Sequence, residues 1–345
     1  MTKAAPEPAD IAALNAALAR VGLLAPGERA RYTALTGGVA SDIWKVDTAA
    51  KTFAVKRALP KLKVATDWYV PVARNAFEVK WIEAVRAIMP QAVPQLLGHD
   101  PAAGLFAMAY LDPARYRNWK SELRDGRTDD AFAAAVGRCL VRIHAATAKN
   151  PAIATAFPTD GTFHAIRLAA YLEATASKHP EAADALMALS RSTLATKLTL
   201  VHGDVSPKNI LIGPDGPIFL DAECAWYGDP AFDLAFCLNH MLLKCLWTRW
   251  AAARLLGLFD ILAQSYLAGV NWESSGLMEQ RTAHLLPGLF LARVDGKSPA
   301  EYVTAEGDKA QIRRVALNFL AQPPQRLSEI RNAWAREIGI KEPVA

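Results

Sequence analysis

The sequence predicts an α+β fold in which a small β-rich part is followed by a larger, mostly helical part. Two observations carry this prediction. Short β-like runs cluster within residues 31–110, and Ala-rich stretches with helical spacing dominate from residue 131 onward. At 345 residues the chain is long enough for about two domains of roughly 150 residues each. We therefore expect one lobe at 1–110 and a second at 111–345.

The β-rich part is expected to form a five-stranded antiparallel sheet with one main helix. Residues 9–20 are rich in Ala and Leu and predict a leading helix that ends at Gly22. Residues 72–89 carry apolar side chains at helical spacing, with Pro71 near the start and Pro90 just past the end. The β-like runs are bounded by turn residues and cover 31–36, 42–47, 52–57, 95–99 and 105–110.

The second part is expected to be helical around one compact β island. Helices are predicted at 131–148, 163–177 and 180–194. The island has short strands at 198–202, 210–212 and 218–220. After Asp229 and Pro230 the sequence predicts helix to its end, so most of the helical mass follows the island.

Composition excludes several classes of function. Hydrophobic residues make up 52% and charged residues 21%, which is typical of a folded globular protein and too apolar for a disordered chain. The net charge of +5 is not gathered into runs of more than two adjacent Lys or Arg, so no nucleic-acid partner is expected. The longest apolar stretch, 231–247, is interrupted by Asp233, Asn239, His240 and Lys244. It predicts a buried helix rather than a membrane span, and no membrane partner is expected.

The cysteines favour a cytoplasmic location. Cys139, Cys224, Cys237 and Cys245 form no C-x-x-C pair and are expected to be reduced and packed as small apolar residues. The first residues lack the apolar core of a secretory signal. We expect a cytoplasmic protein that is a monomer or a homodimer.

The most informative motif is a strand that leads into His202-Gly203-Asp204, with Asn209 five residues after the Asp and Asp221 at the end of the next hairpin. Phosphoryl transfer needs such a set, because one carboxylate orients the attacking hydroxyl while an Asn and a second carboxylate hold Mg²⁺ against the phosphates. An isolated Asp or Asn in a loop commonly caps a turn. The ordered set between strands favours the catalytic interpretation.

A second group of residues has the pattern of a phosphate-binding region. Gly37 and Gly38 lie between strands, where glycines let backbone N–H groups approach a phosphate, although Gly-Gly is also a common hairpin turn. Lys56 closes an apolar strand, and Glu78 lies 22 residues later in the following helix, where an ion-pair partner would lie. Glu83 is the rival for that partner, and a solvated lysine at a strand end is the alternative for Lys56.

Three motifs together resemble the aminoglycoside phosphotransferase and choline kinase-like family. The resemblance covers about residues 37–235 and implies a protein-kinase-like two-lobe fold, ATP and Mg²⁺ as cofactors, and a small-molecule hydroxyl as substrate. The motifs are His202-Gly203-Asp204-Val205-Ser206-Pro207-Lys208-Asn209, Leu220-Asp221-Ala222-Glu223 and Gly228-Asp229-Pro230-Ala231-Phe232-Asp233.

The resemblance also implies a role for each matching residue. Asp204 would be the catalytic base, Asn209 and Asp221 the Mg²⁺ ligands, and Asp233 a structural acid that braces the catalytic loop, while His144 would be structural. The implied nucleotide-binding residues are Gly37, Gly38, Ser41, Lys56, Glu78, Met108 and Tyr110, the last two in a hinge that pairs with adenine.

Two departures from protein kinases point to a small-molecule substrate. Gly203 stands where protein kinases have Arg, and the segment 226–233 is too short for a phosphorylation-controlled loop. The helical part is not rich in acidic residues, so a sugar-like, neutral or acidic alcohol fits better than a polycation. An aminoglycoside or macrolide phosphotransferase and a non-catalytic nucleotide-binding scaffold remain alternatives.

Candidate substrate residues flank the motifs. His240 and Lys244 are four residues apart and share one helix face, which could equally be a polar stripe toward solvent. Glu223 could contact the substrate or the metal, or cap a turn. The complete set of substrate candidates is Trp68, Arg74, Glu223, Trp226, Tyr227, His240, Lys244 and Arg293.

Overall fold

A five-stranded antiparallel sheet forms the centre of the first of two units in the computed structural model, which describes residues 8–25, 27–35, 41–60 and 72–340. The first unit comprises Met1–Tyr116 and Leu220–Glu223, and the second Arg117–Phe219 and Cys224–Ala345. The elements of the first unit are α1 Pro8–Arg20, β1 Arg31–Ala34, β2 Ser41–Asp47, β3 Thr52–Ala58, α2 Arg74–Ile88, β4 Leu96–Asp100 and β5 Leu105–Ala109.

The strand order of this sheet is β1-β2-β3-β5-β4, with every neighbouring pair antiparallel. All five predicted strands and the main helix are confirmed, with ends that shift by one or two residues. Side chains alternate between the two faces of a strand. Phe53 and Val55 of β3 pack into a core with Leu14 and Leu18 of α1. Lys56 therefore points to the opposite face of the sheet, where α2 contacts β3.

The second unit contains the β island and the remaining helices. Its strands form two small sheets, β6-β8-β9 and β10-β7. Its strands are β6 Arg117–Asn118, β7 Thr199–Val201, β8 Ile210–Gly213, β9 Gly216–Phe219 and β10 Trp226–Gly228. Its helices are α3 Trp119–Arg124, α4 Asp130–Thr147, α5 Pro151–Ala156, α6 Asp160–Phe163, α7 Ala174–Ala176, α8 Ala183–Ala195, α9 Ala231–Trp247, α10 Ala252–Leu267, α11 Ser275–Asp295, α12 Glu306–Ala321 and α13 Leu327–Glu337.

Helix α9 is buried along almost its whole length. Helices α10 and α11 pack against it, so every residue from Ala231 to Leu246 is excluded from solvent. The alternative of a polar stripe toward solvent is wrong for His240 and Lys244, because both side chains are buried. Among the helices that the structure describes, none is both long and apolar enough to cross a bilayer.

The helix predicted at 163–177 is not a single α-helix. Residues His164–Glu173 form a π-helix between α6 and α7. The wider hydrogen-bonding pattern of a π-helix shifts the side chains that follow it around the axis, and such segments are common at functional sites. Residue spacing alone does not reveal this change, because the helical pattern of apolar side chains continues through it.

Candidate active site

A buried ion pair joins β3 to α2. Lys56 Nζ lies 2.7 Å from Oε1 and 2.6 Å from Oε2 of Glu78, and both side chains are almost wholly buried. Burial opposes the charged ammonium, but the carboxylates of Asp221 and Glu78 outweigh it and raise the pKa of Lys56. The rival partner, Glu83, is exposed on the same helix. The neighbouring carboxylates therefore keep Lys56 in its charged form.

Lys56 also contacts the carboxylate of Asp221. Asp221 has a φ of 69°, a left-handed conformation that non-glycine residues seldom adopt and that clusters at functional sites. The Asp221 side chain is 22% exposed, whereas Lys56 and Glu78 are buried, so the carboxylate can reach a ligand while it contacts the lysine. Burial, with added repulsion from Asp221, raises the pKa of Glu78 to about 7 although Lys56 lowers it.

Arg74 forms a second buried ion pair in the same unit. Its Nε donates to Oε2 of Glu223 at 3.0 Å, and its Nη2 donates to the carbonyl of Leu59 at 2.8 Å. Burial and the nearby Asp221 carboxylate raise the pKa of Glu223, while Arg74 acts against both. Arg74 begins α2 and lies one turn before Glu78. The first turns of this helix therefore pair with Glu223 through Arg74 and with Lys56 through Glu78. The structure thus brings together two predicted substrate candidates, Arg74 and Glu223.

The loop after β7 is held by hydrogen bonds between its own side chains and its backbone. The N–H of Asp204 donates to Nδ1 of His202 at 3.1 Å, and Nδ2 of Asn209 donates to the Asp204 carbonyl at 3.1 Å. Gly203 has a φ of +78°, and a Cβ at this position would lie 2.6 Å from the carbonyl oxygen of Cys224. Only glycine fits between His202 and Asp204 without displacing the chain.

Asp233 braces this loop from the start of α9, as the sequence predicts. Its Oδ2 accepts from the N–H of His202 at 2.7 Å, and its Oδ1 accepts from the N–H of Gly203 at 2.8 Å. His144 of α4 lies 3.3 Å from the same Oδ2 through Nε2, and its Nδ1 is 2.6 Å from the hydroxyl of Tyr266. All four side chains are fully or almost fully buried, so this network fixes the loop and contacts no ligand.

The carboxylate of Asp204 faces two cations. Arg167 Nη2 lies 3.1 Å from its Oδ2, and Lys208 Nζ lies 3.2 Å from the same oxygen. Arg167 belongs to the π-helix and also donates through Nε to the carbonyl of Gly203. Sequence reasoning missed Arg167, because a single Arg in an Ala-rich helix has no motif around it.

Three other predicted nucleotide residues lie in or beside the first sheet. Ser41 begins β2, is buried, and has no hydrogen-bond partner for its hydroxyl among the residues that the structure describes. Met108 lies in β5, and Tyr110 follows that strand with the ammonium of Lys45 over its ring at 5.2 Å. Gly37, Gly38 and Trp68 lie outside the described residues.

Two further substrate candidates are packed in the second unit. Trp226 is wholly buried and stacks on Phe163 with ring centroids 3.9 Å apart. The hydroxyl of Tyr227 donates to the carbonyl of Leu198 at 2.9 Å. Both residues belong to β10, which pairs with β7 and was not predicted, because a three-residue buried strand shows no alternation. This packing favours a structural role for both side chains.

The oxygen ligands available here fit Mg²⁺. Where the structure is described, no group of three or more His, Cys, Asp and Glu side chains gathers as a metal centre. A nucleotide-bound Mg²⁺ needs only one or two oxygens from the protein, because phosphates and waters fill its remaining positions. In the first unit, the partly exposed carboxylate of Asp221 is an oxygen ligand of this kind. In the second unit, the amide nitrogen of Asn209 donates to the loop backbone, so only its amide oxygen is suited to a metal.

Comparison with known proteins gives a consistent result. The sequence matches the model described as "Phosphotransferase enzyme family" over residues 31–274. It is 24% identical over 230 residues to a methylthioribose kinase of Escherichia coli, a match that covers 58% of this chain and 54% of that protein. It is also 24% identical over 230 residues to a methylthioribose kinase of Bacillus thuringiensis subsp. konkukian, covering 59% of this chain and 58% of that protein. The matched part thus spans little more than half the length of these relatives.

A solved structure supports the fold. The crystal structure of a choline/ethanolamine kinase family protein from Mesorhizobium loti is similar with a TM-score of 0.52 and 15% sequence identity, and the match covers 94% of this chain and 99% of that one. At this identity the similarity concerns the fold alone. The predicted protein-kinase-like α+β fold is therefore confirmed.

Proposed function

The chain belongs to the phosphotransferase enzyme family, and from that premise we propose that it transfers the γ-phosphoryl group of ATP to a hydroxyl of a small molecule. The observation that carries this proposal is the position of Lys56, buried between Glu78 and Asp221. A buried lysine held charged by two carboxylates, one of them partly exposed, matches what an ATP-binding phosphotransferase needs for its phosphates and its metal.

We assign the chemical step to Asp204. The hydroxyl of the substrate forms a new bond to the γ-phosphorus, the bond from that phosphorus to the β-phosphate oxygen breaks, and the hydroxyl proton passes to the Asp204 carboxylate. ADP leaves with the bonding electrons. Asp233 contributes by fixing the backbone on which Asp204 is carried. Positioning and charge neutralisation supply most of the rate in such reactions.

We assign nucleotide binding to a first lobe at residues 1–110. The catalytic loop and the substrate site are assigned to a second lobe at residues 111–345. Lys56 would bind phosphate, with Glu78 orienting it, and ATP with Mg²⁺ supplies the phosphoryl group and neutralises its charge. Asn209 and Asp221 would hold the metal. The remaining nucleotide residues of the proposal are Gly37, Gly38, Ser41, Met108 and Tyr110.

The substrate class is proposed from the relatives. Methylthioribose kinases carry a sugar in their name, and a sugar-like alcohol is the corresponding proposal for this chain. The four cysteines are free thiols, three of them buried, which suits the reducing conditions of the cytoplasm, and we propose that location for a monomer or homodimer.

The deciding experiment is an ADP-release screen over sugars, polyols, amino alcohols and nucleoside-derived sugars. Asp204→Asn should lower turnover about 100- to 10,000-fold, the usual contribution of a general base, while ATP binding by calorimetry persists. Asp215→Asn, on the exposed turn between β8 and β9, is the matched control and should keep full turnover. Near-normal turnover of Asp204→Asn would remove the assignment, and ATP binding without ADP release from any alcohol would favour a scaffold.

A further inference from the structure

The charges of four basic side chains of the helical unit act on His240, and we call these four side chains and His240 the cationic cluster. His240, Lys244 and Arg293 are buried, although the first two belong to α9 and the third to α11. Burial and then the charges of its neighbours lower the pKa of His240 well below its usual value. The members, all in the second unit, are Lys120, Lys208, His240, Lys244 and Arg293.

Lys244 is the most unusual member. It is 1% exposed, and among the residues that the structure describes its ammonium has neither a hydrogen-bond partner nor an ion-pair partner. The ammonium instead lies over two aromatic rings, 4.7 Å from the ring centroid of Trp247 and 4.8 Å from that of Tyr302. Burial lowers the pKa of Lys244 to about 7. A buried ammonium without a carboxylate is costly, and proteins retain such a group where it has a partner or a use.

The donors around Lys244 have unused hydrogen-bonding capacity. Nη1 of Arg293 donates to the hydroxyl of Tyr171 at 3.3 Å and to Oγ of Ser298 at 3.1 Å, which fixes the guanidinium. Its Nε is buried with no hydrogen-bond partner in the described part of the chain, and so is the hydroxyl of Tyr302. The charge of Arg293 acts on both Lys244 and Tyr302. Lys244 thus lies beside two residues, Arg293 and Tyr302, that each carry a buried donor without a partner among the described residues.

The cationic cluster adjoins the loop that carries Asp204. The guanidinium of Arg167, paired with Asp204, lies 5.9 Å from the ring centroid of Tyr171 and 5.8 Å from that of Phe236. The guanidinium of Arg293 lies 5.9 Å from the centroid of the same Tyr171 ring. The His240 ring meets the Phe236 ring edge to face, with their centroids 5.3 Å apart. The Tyr171 and Phe236 rings thus lie beside both Arg167 and members of the cluster, and one member, Lys208, contacts Asp204 itself.

We propose that the substrate carries an anionic group, a carboxylate or a phosphate, which Lys244 and Arg293 bind while its hydroxyl reaches Asp204. This substrate class presupposes the phosphotransferase activity proposed above. Among the residues that the structure describes, Glu301 is the one carboxylate whose charge acts on Lys244 to stabilise it, and Glu301 is already paired with Lys120. A ligand anion supplies the missing acceptor for Lys244 Nζ, Arg293 Nε and the Tyr302 hydroxyl together. The substrates that fit are hydroxy acids and sugar phosphates, whereas polycationic alcohols are excluded by charge.

The test uses matched compounds that share a skeleton and differ in charge. Glycerol, glycerate and glycerol phosphate form one series, and ribose, ribonate and ribose phosphate another, with choline as a cationic alcohol. ADP release and calorimetric binding are measured for the intact chain, for Lys244→Met, and for Lys178→Met, an exposed lysine in the same unit. The carboxylate and phosphate arms of each series distinguish the two kinds of anion.

The expected result is that an anionic member of a series binds more tightly and is phosphorylated with a lower KM than its neutral counterpart. Lys244→Met should weaken binding of that anion about 10- to 100-fold, the loss expected for a charged hydrogen bond, and leave the KM for ATP unchanged. Lys178→Met should change neither quantity. Equal or better binding of the neutral or cationic compounds overturns the anion site and leaves the kinase proposal intact.

Two further outcomes separate the two proposals. If no compound releases ADP but anions bind the intact chain and not Lys244→Met, the anion site stands and the kinase proposal fails. If Lys244→Met does not fold, the comparison of anionic with neutral compounds on the intact chain decides alone. Absence of anion binding in every series overturns the inference.

Discussion

Nη2 of Arg167 lies 3.1 Å from Oδ2 of Asp204, and the arginine reaches this position from a π-helix. The same guanidinium donates through Nε to the carbonyl of Gly203, so it contacts both the side chain of Asp204 and the backbone that precedes it. Both side chains are buried. A charge-assisted contact of this kind fixes the rotamer of the carboxylate. In the proposed reaction, that rotamer decides where a substrate hydroxyl must lie to lose its proton.

Replacing Arg167 by Met should lower kcat about 10- to 150-fold, the equivalent of one charged hydrogen bond of 1.5–3 kcal/mol, because the Asp204 carboxylate loses its orienting partner. The KM for ATP should not change. Arg191→Met, an exposed arginine on α8, is the matched control and should behave as the unmodified chain. Circular dichroism at the assay temperature checks that the variant is folded. An unchanged kcat in a folded Arg167→Met variant would show that the contact is structural only.

The buried pair of Arg74 and Glu223 predicts strong energetic coupling. Removing one partner leaves the other charge buried, so Arg74→Met should cost about 3–5 kcal/mol of unfolding free energy. Glu223→Gln keeps the shape and removes the charge. In the double variant no uncompensated charge remains, so its cost should fall short of the sum of the two single costs by about 1–3 kcal/mol. Urea unfolding of the four proteins measures the cycle, and strictly additive costs would show that the two side chains are independent.

Gly203 gives a prediction about the backbone. A Cβ there would lie 2.6 Å from the carbonyl oxygen of Cys224, and the residue would also have to keep a φ of +78°. Gly203→Ala should therefore destabilise the protein by about 2 kcal/mol or more and displace Asp204, with a large loss of kcat. Gly257→Ala is the matched control, because nothing lies within 4 Å of a Cβ at that position in α10. It should stabilise the helix by up to about 1 kcal/mol. Full activity of Gly203→Ala would contradict the steric account.

The sequence predicted those parts of the structure that local patterns determine. Strands that alternate, such as β2 and β3, and a helix with one apolar face, such as α2, reveal themselves through residue spacing. Glu78 was preferred to Glu83 by position, and the buried contact of Glu78 with Lys56 agrees with that choice. The family resemblance implied that Asp233 braces the loop, and its carboxylate accepts from the N–H groups of His202 and Gly203.

Other parts depend on packing that no local pattern encodes. Helix α9 is surrounded by other helices, so His240 and Lys244 turn inward rather than toward solvent. Arg167 contacts Asp204 from a π-helix, which the apolar spacing of this segment does not reveal. Neither fact can be read from a spacing of four residues or from a single Arg, since both result from contacts between distant segments of the chain.

The pKa of Lys244 makes stability depend on pH in a defined direction. In the folded protein this pKa falls from an ordinary value of 10.5 to about 7, mainly because the side chain is buried. The charges of Lys120 and Arg293 lower it further, whereas the charge of Glu301 raises it. His240, the other titratable neighbour on α9, has a pKa well below its usual value and stays neutral in this range. Between pH 7 and pH 10.5 the unfolded chain therefore holds a proton that the folded chain lacks. The free energy of unfolding should rise with pH across this window and lose that gain as the pH falls toward 7.

Lys244→Met isolates this effect, because the variant has no ammonium to bury. In a buffer free of phosphate and carboxylate ions, the variant should be more stable than the unmodified chain at pH 7 by about 1–4 kcal/mol. The difference should shrink as the pH approaches 10, because the lysine of the unfolded chain then begins to lose the proton that the folded chain already lacks. Urea unfolding at a series of pH values measures the difference directly, with the exposed Lys178→Met as the control that should show no pH-dependent gap. A difference that stays constant with pH would mean that Lys244 titrates as an ordinary lysine, with a partner for its charge in the folded protein.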